Sequence, residues 1–181
     1  MKLNFNLSEQ DLLIFQLYTA SNSPYIKRSR RVNWLVVPIL YLVFSVVLYL
    51  ADSLDFSIGF LVLAILWLIF YPFFQKSRYE KGYKRHNIEY FKNRFDKPVE
   101  LSFTKEYIAS KDESGEGKMK LSELEALHEI QDYYFLKFNS GVSLIIPKKE
   151  VVEFNKLKEL LESLVKKLQI EHEVNLEWKW R

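Results

Sequence analysis

Trp34-Leu-Val-Val-Pro-Ile-Leu-Tyr-Leu-Val-Phe-Ser-Val-Val-Leu-Tyr-Leu-Ala51 and Phe56-Ser-Ile-Gly-Phe-Leu-Val-Leu-Ala-Ile-Leu-Trp-Leu-Ile-Phe-Tyr-Pro-Phe-Phe74 decide how this chain folds. Neither run carries a charge, and only Asp52-Ser-Leu-Asp55 separates them. At ~1.5 Å per residue each makes a helix of roughly 27–29 Å, against ~30 Å of hydrocarbon in a bilayer. The Leu, Ile, Val and Phe side chains of the first run each favour insertion by ~0.3–0.6 kcal/mol near the helix centre. One Asp or Lys there would cancel much of that gain. The reading is a transmembrane hairpin, 34–51 and 56–74. The competing reading is a pair of central helices in a soluble protein. Two charge-free runs, flanked by basic residues and joined by a turn that permits only an antiparallel pair, argue against it.

Outward from the hairpin, Lys27-Arg28-Ser-Arg30-Arg31 precedes the first run, and Lys76, Arg78, Lys81, Lys84 and Arg85 follow the second. The turn between them has two Asp and no basic residue. Positive flanks stay inside, which predicts a multi-pass protein of the bacterial inner (cytoplasmic) membrane with both termini cytoplasmic. Trp34, Trp67 and Tyr71 lie toward the basic ends and Tyr49 toward the turn, as interfacial aromatic anchors do. Tyr41, Ser45 and Tyr49 recur at four-residue steps and are expected to form the seam against the second helix. The nine basic residues make a collar that sets topology. Read functionally, they are the candidate contacts for anionic lipid, at ~1 kcal/mol per residue near the surface. The polar N-terminus has no apolar core of a cleaved leader, so the first span itself is expected to act as the targeting signal.

The rest of the 181 residues suffices for one further domain. A net charge of +3 is too small to imply nucleic acid, and no separate basic, aromatic-studded surface supports it. The absence of Cys excludes disulfides, thiolate metal sites and cysteine nucleophiles. Lys2–Leu7 alternates as a half-buried strand, and Ser8 caps a helix with Glu9 and Asp11 in its first turn. Helical spacing through Leu12, Ile14, Phe15 and Tyr18 stops at Ser21-Asn-Ser-Pro24. A lone strand and helix form no stable core, so they are expected to pack on the C-terminal domain.

Beyond a basic, Tyr-rich helical stretch, Val99–Thr104, Tyr107–Ser110, Lys118–Leu121, Leu124–Ile130, Tyr133–Phe138 and Val142–Ile146 read as short strands. Lys111–Gly117 reads as a loop, and Asn139-Ser-Gly141 as a hairpin turn. Pro147–Glu150 is expected to open an amphipathic helix with Val151, Phe154, Leu157, Leu161, Leu164 and Leu168 on one face. The tail alternates Val174, Leu176, Trp178 and Trp180; an edge strand, a loose end and a membrane contact stay open for it. The resulting division is 1–31, an N-terminal strand and helix; 32–75, the hairpin; 76–97, a basic juxtamembrane helix; 98–170, a cytoplasmic domain; and 171–181, the tail.

Several of these features together resemble the YcxB-like protein family. They are the strand entering Ser8-Glu-Gln-Asp11, the two spans with the basic tract after them, Val99-Glu-Leu-Ser-Phe-Thr-Lys-Glu-Tyr-Ile108, Leu124–Tyr134 and Ser143-Leu-Ile-Ile-Pro-Lys148. Val151-Val152 and the Trp-containing tail depart from the pattern. The resemblance implies an α+β membrane protein: a two-helix transmembrane hairpin plus a cytoplasmic antiparallel PH-like β-sheet or barrel closed by a C-terminal amphipathic helix. It implies no reaction, substrate or cofactor.

Chemistry has little to start from. His86, His128 and His172 fall in different elements at no metal-ligand spacing, and no phosphate loop or nucleophile elbow is present. No catalytic, cofactor-binding or metal residue is assigned. The acidic Asp112–Glu116 loop is expected to repel phosphates, so protein binding is preferred over lipid recognition by the folded domain. The leading expectation is therefore a non-enzymatic, membrane-tethered interaction module. Its partners are the bilayer and a protein, with a second copy of the chain a further candidate. The alternatives are an immunity or self-protection protein against a toxin and a sensor of anionic lipid.

Overall fold

A computed structural model describes residues 1–92, 95–113 and 115–180. The elements run β1 (Lys2–Leu7), α1 (Glu9–Asn22), α2 (Pro24–Leu50), α3 (Leu54–Phe91), β2 (Lys97–Phe103), β3 (Tyr107–Asp112), β4 (Gly115–Lys120), β5 (Leu124–Ile130), β6 (Tyr133–Phe138), β7 (Ser143–Pro147), α4 (Phe154–Leu168) and β8 (Glu171–Asn175). They divide into a hairpin unit, Gln16–Tyr83 with Trp180, and a sheet unit, Met1–Phe15 with Lys84–Lys179.

In the hairpin unit, Pro24 opens α2 and the Ser23 hydroxyl caps it, accepting from Ile26 N–H at 3.4 Å. The basic run Lys27–Arg31 thus lies on the first turns of the same helix as the apolar run. At the far end, Asp52 adopts the left-handed conformation (φ 57°). Its N–H reaches Tyr49 C=O at 3.2 Å, while Ser53 N–H reaches Leu48 C=O at 3.0 Å, a Schellman closure of the turn.

Side chains then join α2 to α3. Ser45 and Ser57 exchange hydrogen bonds, each hydroxyl donating to the other's backbone carbonyl at 2.8 Å. Phe60 lies against Tyr41 and Phe44 with ring centroids 6.0 and 5.7 Å apart. Pro72 has no N–H, which leaves Leu68 C=O without its helical donor. The Trp34 indole N–H fills that vacancy from the other helix, at 3.0 Å. The indole thus satisfies the acceptor that the proline orphans and ties the two helices together. Tyr49 does not join the seam; it is 62 % exposed. Four-residue steps drift by about 40° each on a 3.6-residue helix, and two of them carry Tyr49 off the face that Tyr41 starts.

Only 11 % of the most apolar 18 residues of either helix are buried, so both helices are long and apolar enough to cross a membrane and show their apolar surface outward. A core helix of a soluble protein would be mostly covered.

The sheet unit is α+β. Its first sheet, β1-β2-β3-β4, is antiparallel throughout, with Leu3 opposite Leu101 and Phe5 opposite Val99. The second has the order β7-β6-β5-β8. Two expectations are corrected here. The sheets stay open rather than closing as one barrel, because the 3-10 turn Leu121–Glu123 hands the chain from one sheet to the other. The strands are also not all antiparallel: β8 lies parallel to β5, since α4 carries the chain back before β8 begins.

Alternate residues build the core: Leu3 and Phe5, Leu101 and Phe103, Leu127, Tyr134, Leu136, Phe138 and Ile146, against Leu157, Leu161 and Leu164 of α4. That helix starts at Phe154, later than Pro147. Lys148–Glu150 form a separate 3-10 turn that leaves Val151 buried and Val152 exposed. The expected loop at Lys111–Gly117 is also shorter, because β3 and β4 pair down to Asp112 opposite Gly115. The Asp112 carboxylate accepts Gly115 N–H at 3.1 Å, and Gly115 takes a positive φ of 147°.

α1 begins with a capping box. Asp11 N–H donates to Ser8 Oγ at 3.3 Å, and Ser8 N–H and Oγ both donate to Asp11 Oδ2 at 2.7 Å. The other Asp11 oxygen accepts the Tyr133 hydroxyl at 2.6 Å, and Phe15 packs on Phe135 with centroids 5.3 Å apart.

Gln169 ends α4 in the left-handed region (φ 54°, ψ 37°), where a side chain strains and glycine does not. Gln169→Gly is expected to stabilise the sheet unit by roughly 0.5–1 kcal/mol, partly offset by a freer unfolded chain. Chemical denaturation of the detergent-solubilised full chain checks this; a lower midpoint would contradict it.

Candidate functional site

The collar residues take their places from the helices that carry them. Lys27, Arg28, Arg30 and Arg31 occupy the first turns of α2. Lys76, Arg78, Lys81, Lys84 and Arg85 occupy α3, which continues without a break beyond its apolar run to Phe91. Eight of the nine are exposed; Arg30 is half-buried. Arg28 and Arg31 are three residues apart and Lys27 and Arg31 four, so these three share one face of α2.

Arg30 differs because its partners surround it. Its Nε–H donates to Gln75 Oε1 at 3.0 Å, joining α2 to α3. Its guanidinium carbon lies 4.7 Å from the Trp180 ring centroid and 5.9 Å from that of Tyr79. The Trp180 and Tyr79 rings meet edge to face at 5.8 Å, and the Trp180 indole N–H donates to Lys76 C=O at 3.4 Å. Trp180 is only 7 % exposed. The alternation of the tail singles out Trp180 in the sequence but says nothing of where it docks. No local pattern links position 180 to position 30.

A second polar group lies in the sheet unit. Lys148 Nζ pairs with Glu129 Oε1 at 2.7 Å, with both side chains only 13–14 % exposed. The Lys148 ammonium also lies 4.6 Å from the Tyr134 ring centroid, and His172 Nε2 is 3.5 Å from the second Glu129 oxygen. On the opposite face, His128 Nδ1 lies 2.8 Å from Glu173 Oε2. Both histidine pairs therefore join β5 to β8. His86 lies instead against Tyr90, the rings tilted with centroids 4.7 Å apart. Among the described residues no three potential metal ligands come together.

The tyrosines on β6 titrate abnormally. Burial first, then the hydrogen bond and charge of Asp11, hold the Tyr133 hydroxyl well above its ordinary range. Burial and the neighbouring Glu129 do the same for Tyr134. A raised native value means the unfolded chain releases these protons first. The stabilisation is thus whole below ~pH 10, the ordinary tyrosine value, and is lost as pH rises through the native values. In a tyrosinate absorbance titration of the eleven tyrosines, these two are expected to ionise only as the sheet unit unfolds. Smooth ionisation of all eleven without an unfolding step would contradict this.

The acidic loop is compensated. Glu113 pairs with Lys97, and Glu116 with Lys111 across the β3–β4 ladder at 2.5 Å. A cavity of about 370 Å³ lies beside it, walled by Leu7, Leu12, Phe91, Phe95, Val99 and Ile145.

Residues 103–161 match the family model described as YcxB-like protein, the stretch from the end of β2 through the first half of α4. The chain is similar to that family over this part of its length. No curated protein and no solved structure matches the chain.

Proposed function

We propose that this chain is a membrane-anchored, non-enzymatic interaction module. On this reading α2 and α3 are a transmembrane hairpin in a bacterial inner membrane. Both termini are cytoplasmic, and the sheet unit is a PH-like domain that docks a protein partner. The observation that carries the reading is the pair of charge-free, outward-facing helical surfaces, rimmed by basic residues at their chain-terminal ends and by Asp52 and Asp55 at the turn. A PH-like assignment is supported by the strand content: four antiparallel strands in one sheet, three in the next, and α4 packed on the core after the seventh. The family similarity falls on this part of the chain.

The absence of Cys makes the test direct. An impermeant maleimide added to whole cells should label Asp52→Cys at the turn, and label Lys105→Cys only after permeabilisation. In alkaline carbonate the chain should stay with the membrane pellet, although the sheet unit loosens at that pH. Release into the supernatant, or labelling of Lys105→Cys from outside, would overturn the anchor or its orientation. A photo-crosslinker at Val174 in the full chain should capture a discrete protein partner that the same crosslinker at lipid-facing Val46 does not. Identical products from both positions would overturn the docking role.

A further inference from the structure

Resting on the membrane reading above, we propose that Arg30 is a site for the phosphodiester of an anionic lipid headgroup, and that Trp180 is its occupant in cis. Headgroups gathering at the collar displace Trp180 from its seat on the hairpin unit.

Depth comes first. Arg30 lies one helical turn before Trp34, and Lys76 two residues past Phe74. At ~1.5 Å per residue both stand about 3–6 Å outside the apolar runs, within the headgroup layer of a bilayer. Identity follows. A planar guanidinium recognises a phosphate through paired N–H donors, and here its plane is set by the Gln75 carbonyl and by two aromatic rings. Its exposed neighbours Lys27, Arg28 and Arg31 raise the local concentration of anionic headgroups.

Competition follows from the strength of the two contacts. Trp180 holds Arg30 through a ring face and holds Lys76 through a long, 3.4 Å hydrogen bond. A charge-assisted phosphate contact is the stronger of the two, and it draws the guanidinium away from the Trp180 ring face. Eight of the nine collar residues are exposed and can bind headgroups without any rearrangement. Arg30 alone gives its headgroup contact a conformational consequence.

The test uses the full chain carrying 5-fluorotryptophan in phosphatidylcholine vesicles, with or without phosphatidylglycerol. Four tryptophans give four fluorine resonances, and Trp180→Phe identifies the one that matters. Phosphatidylglycerol is expected to raise the released-to-docked ratio of Trp180 about five-fold, the ratio that ~1 kcal/mol per basic residue at an anionic surface supplies. Arg30→Lys keeps the charge but not the plane, and should leave Trp180 released in both vesicles. Tyr79→Phe keeps the ring and should behave as the unsubstituted chain.

Flotation is read on the same samples. A chain that floats with both vesicles while the Trp180 resonance stays unmoved overturns this proposal and leaves the membrane reading standing. A chain that floats with neither overturns the membrane reading itself. Equal release by inorganic phosphate at matched ionic strength in neutral vesicles would assign the site to soluble phosphate and overturn its assignment to lipid.

Discussion

Replacing Glu129 by Ala is expected to destabilise the sheet unit by about 3–5 kcal/mol, a large part of what an ordinary domain possesses. Glu129 and Lys148 are largely withdrawn from water, so removing the carboxylate strands an ammonium beside the Tyr134 ring. It also removes the carboxylate that faces His172 of β8 across the ladder. The loss should therefore be measured twice, as a lower denaturation midpoint of the full chain in detergent and as faster amide exchange in β8. The double substitution Glu129→Leu with Lys148→Met, apolar on both sides, should recover most of the midpoint because no charge is left buried. If Glu129→Ala alone costs less than ~1 kcal/mol, the pair is solvated and this account of it is wrong.

Asp11→Ala should cost about 2–4 kcal/mol. One part is the helix cap, worth ~0.5–2 kcal/mol; the other is a buried Tyr133 hydroxyl left without its acceptor, worth ~1–3 kcal/mol. Asp11 serves both at once, since one oxygen closes the capping box on Ser8 and the other receives the phenol. Tyr133→Phe should cost less than Asp11→Ala, because the cap survives. The double variant should cost less than the two single variants together, because the phenol contact is removed only once. Full additivity in the denaturation midpoints would show that Asp11 and Tyr133 do not communicate.

These residues also show what sequence alone can and cannot say. Ser8 as an N-cap with Asp11 in the first turn is a local pattern and legible, whereas the reciprocal bond that makes it a capping box is not. The Asp11–Tyr133 bond spans 122 positions and has no local sign. The same division runs through the fold. The strand at Lys2–Leu7 and the hairpin around Gly141 follow from two-residue alternation and a turn that needs a positive φ of 82°. The parallel placement of β8 could not be read, because alternation identifies a strand and not its neighbour. The loop expected at Lys111–Gly117 is too long, since Gly and charged residues signal a turn even where strand pairing and the Lys111–Glu116 ion pair run into it. At the collar, the sequence places all nine basic residues next to the apolar runs, but not Lys27–Arg31 on the same helix as the first run. It could not single out Arg30, whose distinction rests on a ring 150 residues away.

The pairing of β1 with β2 has a consequence for how the chain is made. Leu3 opposes Leu101, and everything between them includes both apolar helices. A ribosome adding ~5–20 residues per second releases β1 many seconds before its partner strand exists. Through that interval Leu3 and Phe5 have no sheet to join. The nascent N-terminus must be kept from aggregation until the second half follows, and on the membrane reading proposed above this puts helix insertion first and sheet assembly last.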